Sequence, residues 1–262
     1  MAAEILYETH GNVLVVTFNR PQKGNALTTV MAKDLSEKLK SVSEDRSIRA
    51  LLLKGAGHCF MDGHDMTGFV GDVNAVQEQI FLRVQFFYAV IREFQAMERP
   101  VISAVEGRVS GSGFSLALAS DLVIAAKDTV FNADFTSKGM IPDGGATFFL
   151  PRKVGAGRAN EILLLSEDIS VEQAQKWGIV SKIVADNVLQ DEAMAWAAKI
   201  ATGPTRIFGA TKRLIGKAFE QDLTNHLSQE ATTWTTIGAK TFDFREAMKA
   251  YATKREPKFT GA

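Results

Sequence analysis

The chain has 262 residues, 46% of them hydrophobic and 23% charged, the proportions of a globular protein with a sizeable core. Lys+Arg and Asp+Glu balance at 30 each, so no basic field exists to hold nucleic acid or an anionic membrane surface. One cysteine, Cys59, excludes an intrachain disulfide and a cysteine-rich metal site and suits a reducing compartment. No apolar run approaches the roughly 18 residues of a membrane span. The N-terminus lacks the basic-then-apolar form of a signal peptide, and the ending Thr260-Gly261-Ala262 is not a peroxisomal address. A cytoplasmic protein without nucleic-acid or membrane partners is expected.

In chain order, residues 4–18 read as two strands about a turn at Gly11-Asn12, the second being the β-branched run Val13–Phe18. Pro21 stops it, and Gln22 to Asn25 is a turn. Thr28 or Thr29 caps a helix to about Val42, with Met31, Leu35, Leu39 and Val42 on one face. Ala50–Lys54 reads as a buried strand, and Cys59–Met66 is too polar for a core strand and too short for a helix. Asn74–Met97 reads as one long helix, with Val76, Ile80, Val84, Phe87, Val90, Ile91 and Phe94 along one side and Pro100 as its stop. A strand over Val101–Val105, a helix over Gly113–Ala119 and a strand over Asp121–Ala126 follow. Leu150 to Ile183 reads as helices broken at Gly155, Gly157 and Gly178, and from Asp191 onward only helix signal remains. The alternation predicts an α/β fold with largely parallel pairing over 1–190 and a helical region over 191–262.

Two glycine-broken turns carry the candidate chemistry. In Gly107 to Gly113 a strand enters a helix through Gly111-Ser112-Gly113. Such a turn can be a packing device, or it can offer backbone N–H groups and a helix dipole to negative charge. It is neither a P-loop nor a dinucleotide fingerprint, since Leu116 stands where the third glycine belongs. In Gly139 to Gly145, Asp143 stands between a proline and two glycines, either as an N-cap or as a proton carrier. His58, Asp62, His64 and Asp65 lie too close along one loop for a tetrahedral metal site, and no Gly-x-Ser-x-Gly elbow supports a serine hydrolase. His10 and His226 read as surface residues.

Taken together, several stretches resemble the crotonase (enoyl-CoA hydratase/isomerase) superfamily across nearly the whole chain. They are Asn19-Arg20-Pro21, Lys23–Leu27, Ala50–Gly57, Phe60–Met66, Pro100–Gly107, Gly111–Gly113, Asp121, Gly139–Gly145, Leu150–Arg152, Trp177-Gly178 and Lys254–Phe259. The Ile141-Pro142-Asp143 turn and the ending are most like bacterial single-aspartate isomerases of phenylacetate-type degradation. The resemblance implies a crotonase-like spiral of ββα units with a C-terminal helical trimerisation region. It implies an acyl-CoA thioester substrate, no separate cofactor because coenzyme A is part of that substrate, and a homotrimer or dimer of trimers. It places the backbone N–H groups of His64 and Ser112 on the thioester oxygen. Lys23, Ala26, Asp62, Gly63, Asp65 and Met66 would surround the coenzyme A thioester, with Lys254, Arg255 and Lys258 toward its phosphates.

The departures from the family pattern bear on the reaction. Family hydratases position water with two glutamates, and the corresponding positions here are Ser115 and Phe135. Asp143 remains, where several family isomerases carry a single acid, so a Δ3 to Δ2 enoyl-CoA isomerase is expected. The His64 side chain is expected to line the acyl pocket, with a share in acid/base work as the alternative. The competing readings are hydration, hydrolysis or dehalogenation by Asp143 with Asp62 or His64, and a CoA-binding protein without catalysis.

Overall fold

In the computed structural model, which describes residues 3–69 and 71–262, the apolar runs become strands buried on both faces. The hairpin β1 (Ile5–His10) and β2 (Val13–Phe18) leads through α1 (Thr29–Glu44) to β3 (Ala50–Gly55), β4 (Met61–Asp62) and α2 (Val73–Ala96). Next come β5 (Val101–Val105), β6 (Arg108–Ser110) and α3 (Ser112–Ala119), then β7 (Leu122–Ala126), β8 (Val130–Asn132), α4 (Ala146–Val154) and α5 (Ala156–Leu165). The chain continues with β9 (Ile169–Ser170), α6 (Val171–Lys176), β10 (Lys182–Val184) and helices α7 (Leu189–Ala201), α8 (Thr205–Lys217), α9 (Leu223–Thr236) and α10 (Phe242–Ala252).

Strands β1-β2-β3-β5-β7-β10 form one six-stranded sheet and β4-β6-β8-β9 a second, smaller one. Apart from the β1–β2 and β8–β9 pairs, every pairing is parallel. A strand of the large sheet, a short strand of the small sheet and a helix recur as β3–β4–α2, β5–β6–α3 and β7–β8–α4, the ββα spiral that the family resemblance implied.

The strand alternation explains why these segments read as continuous apolar runs, as parallel strands buried on both faces do. Leu14, Val16, Leu51, Leu53, Val101 and Val105 face the main core with α1 and α2. Val13, Val15, Ala50, Leu52, Ile102 and Ala104 face the opposite side, which α7 covers through Ala193, Ala197 and Ala201. Three alanines four residues apart let that helix lie close on the sheet. Helix α1 buries Met31, Leu35, Leu39 and Val42, and Thr28 caps it by accepting from the Met31 N–H at 3.0 Å, a bond of about 1 kcal/mol.

The small sheet is what the sequence pattern misses. Its strands are two or three residues long, too short for an alternating signal. The region read as helices from Leu150 to Ile183 also contains β9 and β10, and α4 begins earlier, at Ala146. His226 is half-buried rather than a surface residue, held between Gln221 and Glu230. No helix among the described residues is long and apolar enough to cross a membrane.

Candidate active site

Strands β4 and β6 run parallel, with Met61 opposite Val109 and Asp62 opposite Ser110. Continuing that register by two residues puts Gly63 beside Gly111 and His64 beside Ser112. The contact between the two glycines is close: a Cβ on Gly111 would stand 3.1 Å from the Gly63 Cα, and both residues have positive φ (+73° and +50°). Gly111, at ψ −120°, adopts a conformation that side-chain-bearing residues avoid. The amide that follows each glycine is therefore brought to the same level of two neighbouring strands.

His64 lies on a one-residue parallel bridge to Leu27, where Leu27 donates to the Gly63 carbonyl at 2.8 Å and Asp65 donates to the Leu27 carbonyl at 2.9 Å. Those bonds use the groups flanking His64. Its own N–H has no acceptor among the described residues, and neither does that of Ser112, the first residue of α3. All eight residues of α3 are buried, so the unpaired N–H groups and dipole at its start act in a medium of low polarity. The Ser112 hydroxyl turns back to the Met61 sulfur at 3.7 Å, which leaves the backbone as that residue's contribution. Two such donors are what a developing oxyanion requires.

Asp143 is not an N-cap. Helix α4 begins after Gly145, with no side chain capping it, and the Asp143 carboxylate instead reaches His64, Oδ2 to Nε2 at 2.8 Å. With the carboxylate ionised, and so only accepting, that bond requires the imidazole Nε2 to carry the hydrogen. The two side chains are 13% and 7% exposed. Their other polar atoms, Asp143 Oδ1 and His64 Nδ1, are buried without a partner among the described residues. The ring of Phe87 meets the imidazole edge-on at 5.8 Å. The turn is pressed into place: a Cβ on Gly144 would meet Phe87 at 2.4 Å and the Ser115 Cβ at 2.7 Å. Ser115, at one hydratase-glutamate position, donates its hydroxyl to the Asp143 carbonyl at 2.8 Å. Ser115 thus fastens the turn that bears Asp143.

His64 and Asp143 line a cavity of about 550 Å³ with Met66, Phe69, Val76, Ile80, Arg83, Val84, Tyr88, Phe135, Ile141 and Pro142 among its walls. Phe135, which the family resemblance sets at the other hydratase-glutamate position, is 1% exposed and presents its ring to the cavity. Burial, and then the charge of Asp143, push the Tyr88 phenol above its ordinary range. Arg83 donates to the Asp65 carbonyl at 2.6 Å and to the Thr29 hydroxyl at 3.2 Å, tying α2 to the loop of His64. The helical pattern passed over Arg83 and Tyr88. The signal for Arg83 was a cation within the apolar stripe, three residues after Ile80 and four before Phe87.

The other residues expected at the site are placed differently. Asp62 accepts from Arg108 at 3.2 Å and from Ser110, clamping β4 to β6, and it does not line the cavity. Asp65 is paired with Arg20 at 2.7 Å and accepts from the Thr67 N–H at 3.0 Å. Burial raises its pKa, but the bonds from Thr67 and Arg20 more than offset this and hold it at about 2. His58 pairs with Glu106 at 2.9 Å, so the four loop residues weighed as metal ligands go to separate partners. Lys23 is exposed in its turn, and buried Ala26 gives its carbonyl to Arg20 at 2.6 Å. Gly63 serves the glycine contact, and Met66 lines the cavity. Lys254, Arg255 and Lys258 follow α10 and are not among the cavity's walls; Arg255 pairs with Glu246 at 2.6 Å.

Residues 8–262 match the protein family described as enoyl-CoA hydratase/isomerase. The chain is 37% identical over 258 residues to a 1,2-epoxyphenylacetyl-CoA isomerase of Escherichia coli, covering 98% of each chain. It is 34% identical over 257 residues to a probable enoyl-CoA hydratase of Rhodobacter capsulatus, again covering 98% of each. The crystal structure of an enoyl-CoA hydratase from Bacillus anthracis superposes with a TM-score of 0.92 at 28% identity, covering 99% of this chain and 100% of that one.

Proposed function

The chain belongs to the enoyl-CoA hydratase/isomerase family, the crotonase superfamily, as one of its acyl-CoA enzymes, and within it we propose a Δ3 to Δ2 enoyl-CoA isomerase that works through one acid. The observation that carries this is the composition of the cavity wall. Asp143 is its only carboxylate among the described residues, and the two hydratase-glutamate positions hold a serine bonded to the backbone and a buried phenyl ring.

The reaction then needs three groups. The Asp143 carboxylate takes a proton from C2 of the 3-enoyl thioester, and the C2–H electron pair moves into a C1=C2 bond while the thioester oxygen becomes an oxyanion. The N–H groups of His64 and Ser112 hold that oxyanion; one such donor is worth about 3–4 kcal/mol in the transition state. Asp143 returns the proton to C4, the double bond settles between C2 and C3, and the thioester carbonyl re-forms. No water is consumed, and Phe135 keeps it out.

Phe69, Tyr88 and Phe135 around the cavity, with the similarity to an isomerase of 1,2-epoxyphenylacetyl-CoA, support a ring-derived acyl group over a straight chain. Lys254, Arg255 and Lys258 are assigned to the coenzyme A phosphates. Leu223, Leu227, Trp234, Phe242, Met248 and Tyr251, exposed on α9 and α10, support a homotrimer closed through these helices.

Incubation with a 3-enoyl-CoA in deuterated water, with products followed by mass spectrometry, tests the reading. The 2-enoyl thioester is expected. A 3-hydroxyacyl product would mean that a water is activated and the single-acid reading is wrong.

A further inference from the structure

His64 does more than lend a backbone N–H. Its side chain is 7% exposed, sits in the wall of the cavity, and spends Nε2 on Asp143 Oδ2 at 2.8 Å. That bond holds one of the two carboxylate oxygens, and the other, Oδ1, is buried without a partner among the described residues. A carboxylate held at one end cannot exchange its two oxygens by rotation about the Cβ–Cγ bond. Phe87 against the imidazole ring and Gly144 against Phe87 and Ser115 fix the pair from both sides.

We infer that the His64 side chain is the positioning residue for Asp143, holding its carboxylate in one orientation so that the same carboxylate carries the migrating proton from C2 to C4. The same residue holds the oxyanion through its N–H and the base through its ring, which fixes the distance between the two ends of the transition state. A group displaced by about 1 Å from its reacting atom loses roughly 100-fold in rate. The titratable or charged side chains facing this pair across the cavity are Arg83 and Tyr88, and neither bonds to Asp143.

This inference rests on Asp143 being the base, and two readouts separate it from the isomerase assignment. The first is the fraction of C2-derived hydrogen recovered at C4 during isomerisation in deuterated water. The second is deuterium exchange at C2 of phenylacetyl-CoA, which needs the base and the oxyanion site but no double-bond shift. His64→Phe keeps the ring shape and loses the bond, whereas His64→Gln keeps an N–H donor near the Nε2 position and cannot shuttle a proton. His64→Phe is expected to lose about 100-fold in kcat, with KM unchanged, and to lose internal return of the hydrogen. His64→Gln is expected to regain most of both. Wild-type kcat and internal return in His64→Phe would overturn the inference. So would a His64→Gln that folds and binds thioester but stays as slow as His64→Phe, since the imidazole would then be moving the proton itself. If wild type isomerises no 3-enoyl-CoA, the same order of the three proteins in C2 exchange upholds the role of His64 while the isomerase assignment falls. Absence of both isomerisation and exchange in wild type overturns both.

Discussion

Replacing Gly111 by alanine probes the proposed oxyanion site without touching a polar atom. The new methyl carbon would stand 3.1 Å from the Gly63 Cα, and the residue holds φ +50° and ψ −120°. Forcing an alanine into that conformation costs about 1–3 kcal/mol. For a chain of this size the melting temperature should fall by about 2–10 °C. The contact must also open by a few tenths of an ångström, and the amides displaced by that opening are those of His64 and Ser112. Loss of one oxyanion donor lowers kcat by about 100- to 1,000-fold, so kcat on a 3-enoyl-CoA should drop within that range while thioester affinity holds. Gly178→Ala is the control: its φ is +76°, and nothing lies within 4 Å of an added Cβ. It carries strain but no contact, and should lower stability while leaving kcat unchanged. The reasoning fails if Gly111→Ala turns over as fast as Gly178→Ala, because the glycine contact would then not be what sets the two donors.

Two further outcomes follow from the surroundings of the site. Asp65 sits at about 2 in the folded protein against an ordinary value of 3.8. Its stabilisation is therefore complete above pH 4 and is lost as pH falls toward 2; Asp65→Asn should flatten that part of the melting-temperature profile, and an unchanged slope would assign it to other carboxylates. Lys254→Ala should raise the Kd for the CoA thioester and weaken its salt dependence, with kcat unchanged, if that lysine reaches a coenzyme A phosphate. Equal affinity in titration calorimetry would remove it from the binding site.

How much of this was legible from the residues alone follows physical lines. The large sheet was readable because parallel strands buried on two faces give unbroken apolar runs, as in Val13–Phe18 and Val101–Val105. The small sheet was not, since a two-residue strand such as Met61–Asp62 has no period. Yet that sheet sets the register that aligns His64 with Ser112, so their assignment as oxyanion donors came from family resemblance and their alignment only from the fold. Asp143 was legible as a carboxylate between proline and glycines, but its partner is 79 residues away in the chain. Local patterns cannot report a contact between the loops of two ββα units that a third separates in the chain. Asp62 illustrates the converse: two residues before His64 in sequence, it reaches across from β4 to Arg108 and Ser110 of β6 and does not line the cavity.

The measurement closest to the central claim is turnover of a 3-enoyl-CoA by Asp143→Asn, alongside its affinity for the thioester. The amide keeps the shape and loses the base, so turnover should disappear while the Kd stays within the wild-type range. Turnover at the wild-type rate would contradict the account, because the proton would then be carried by some other group.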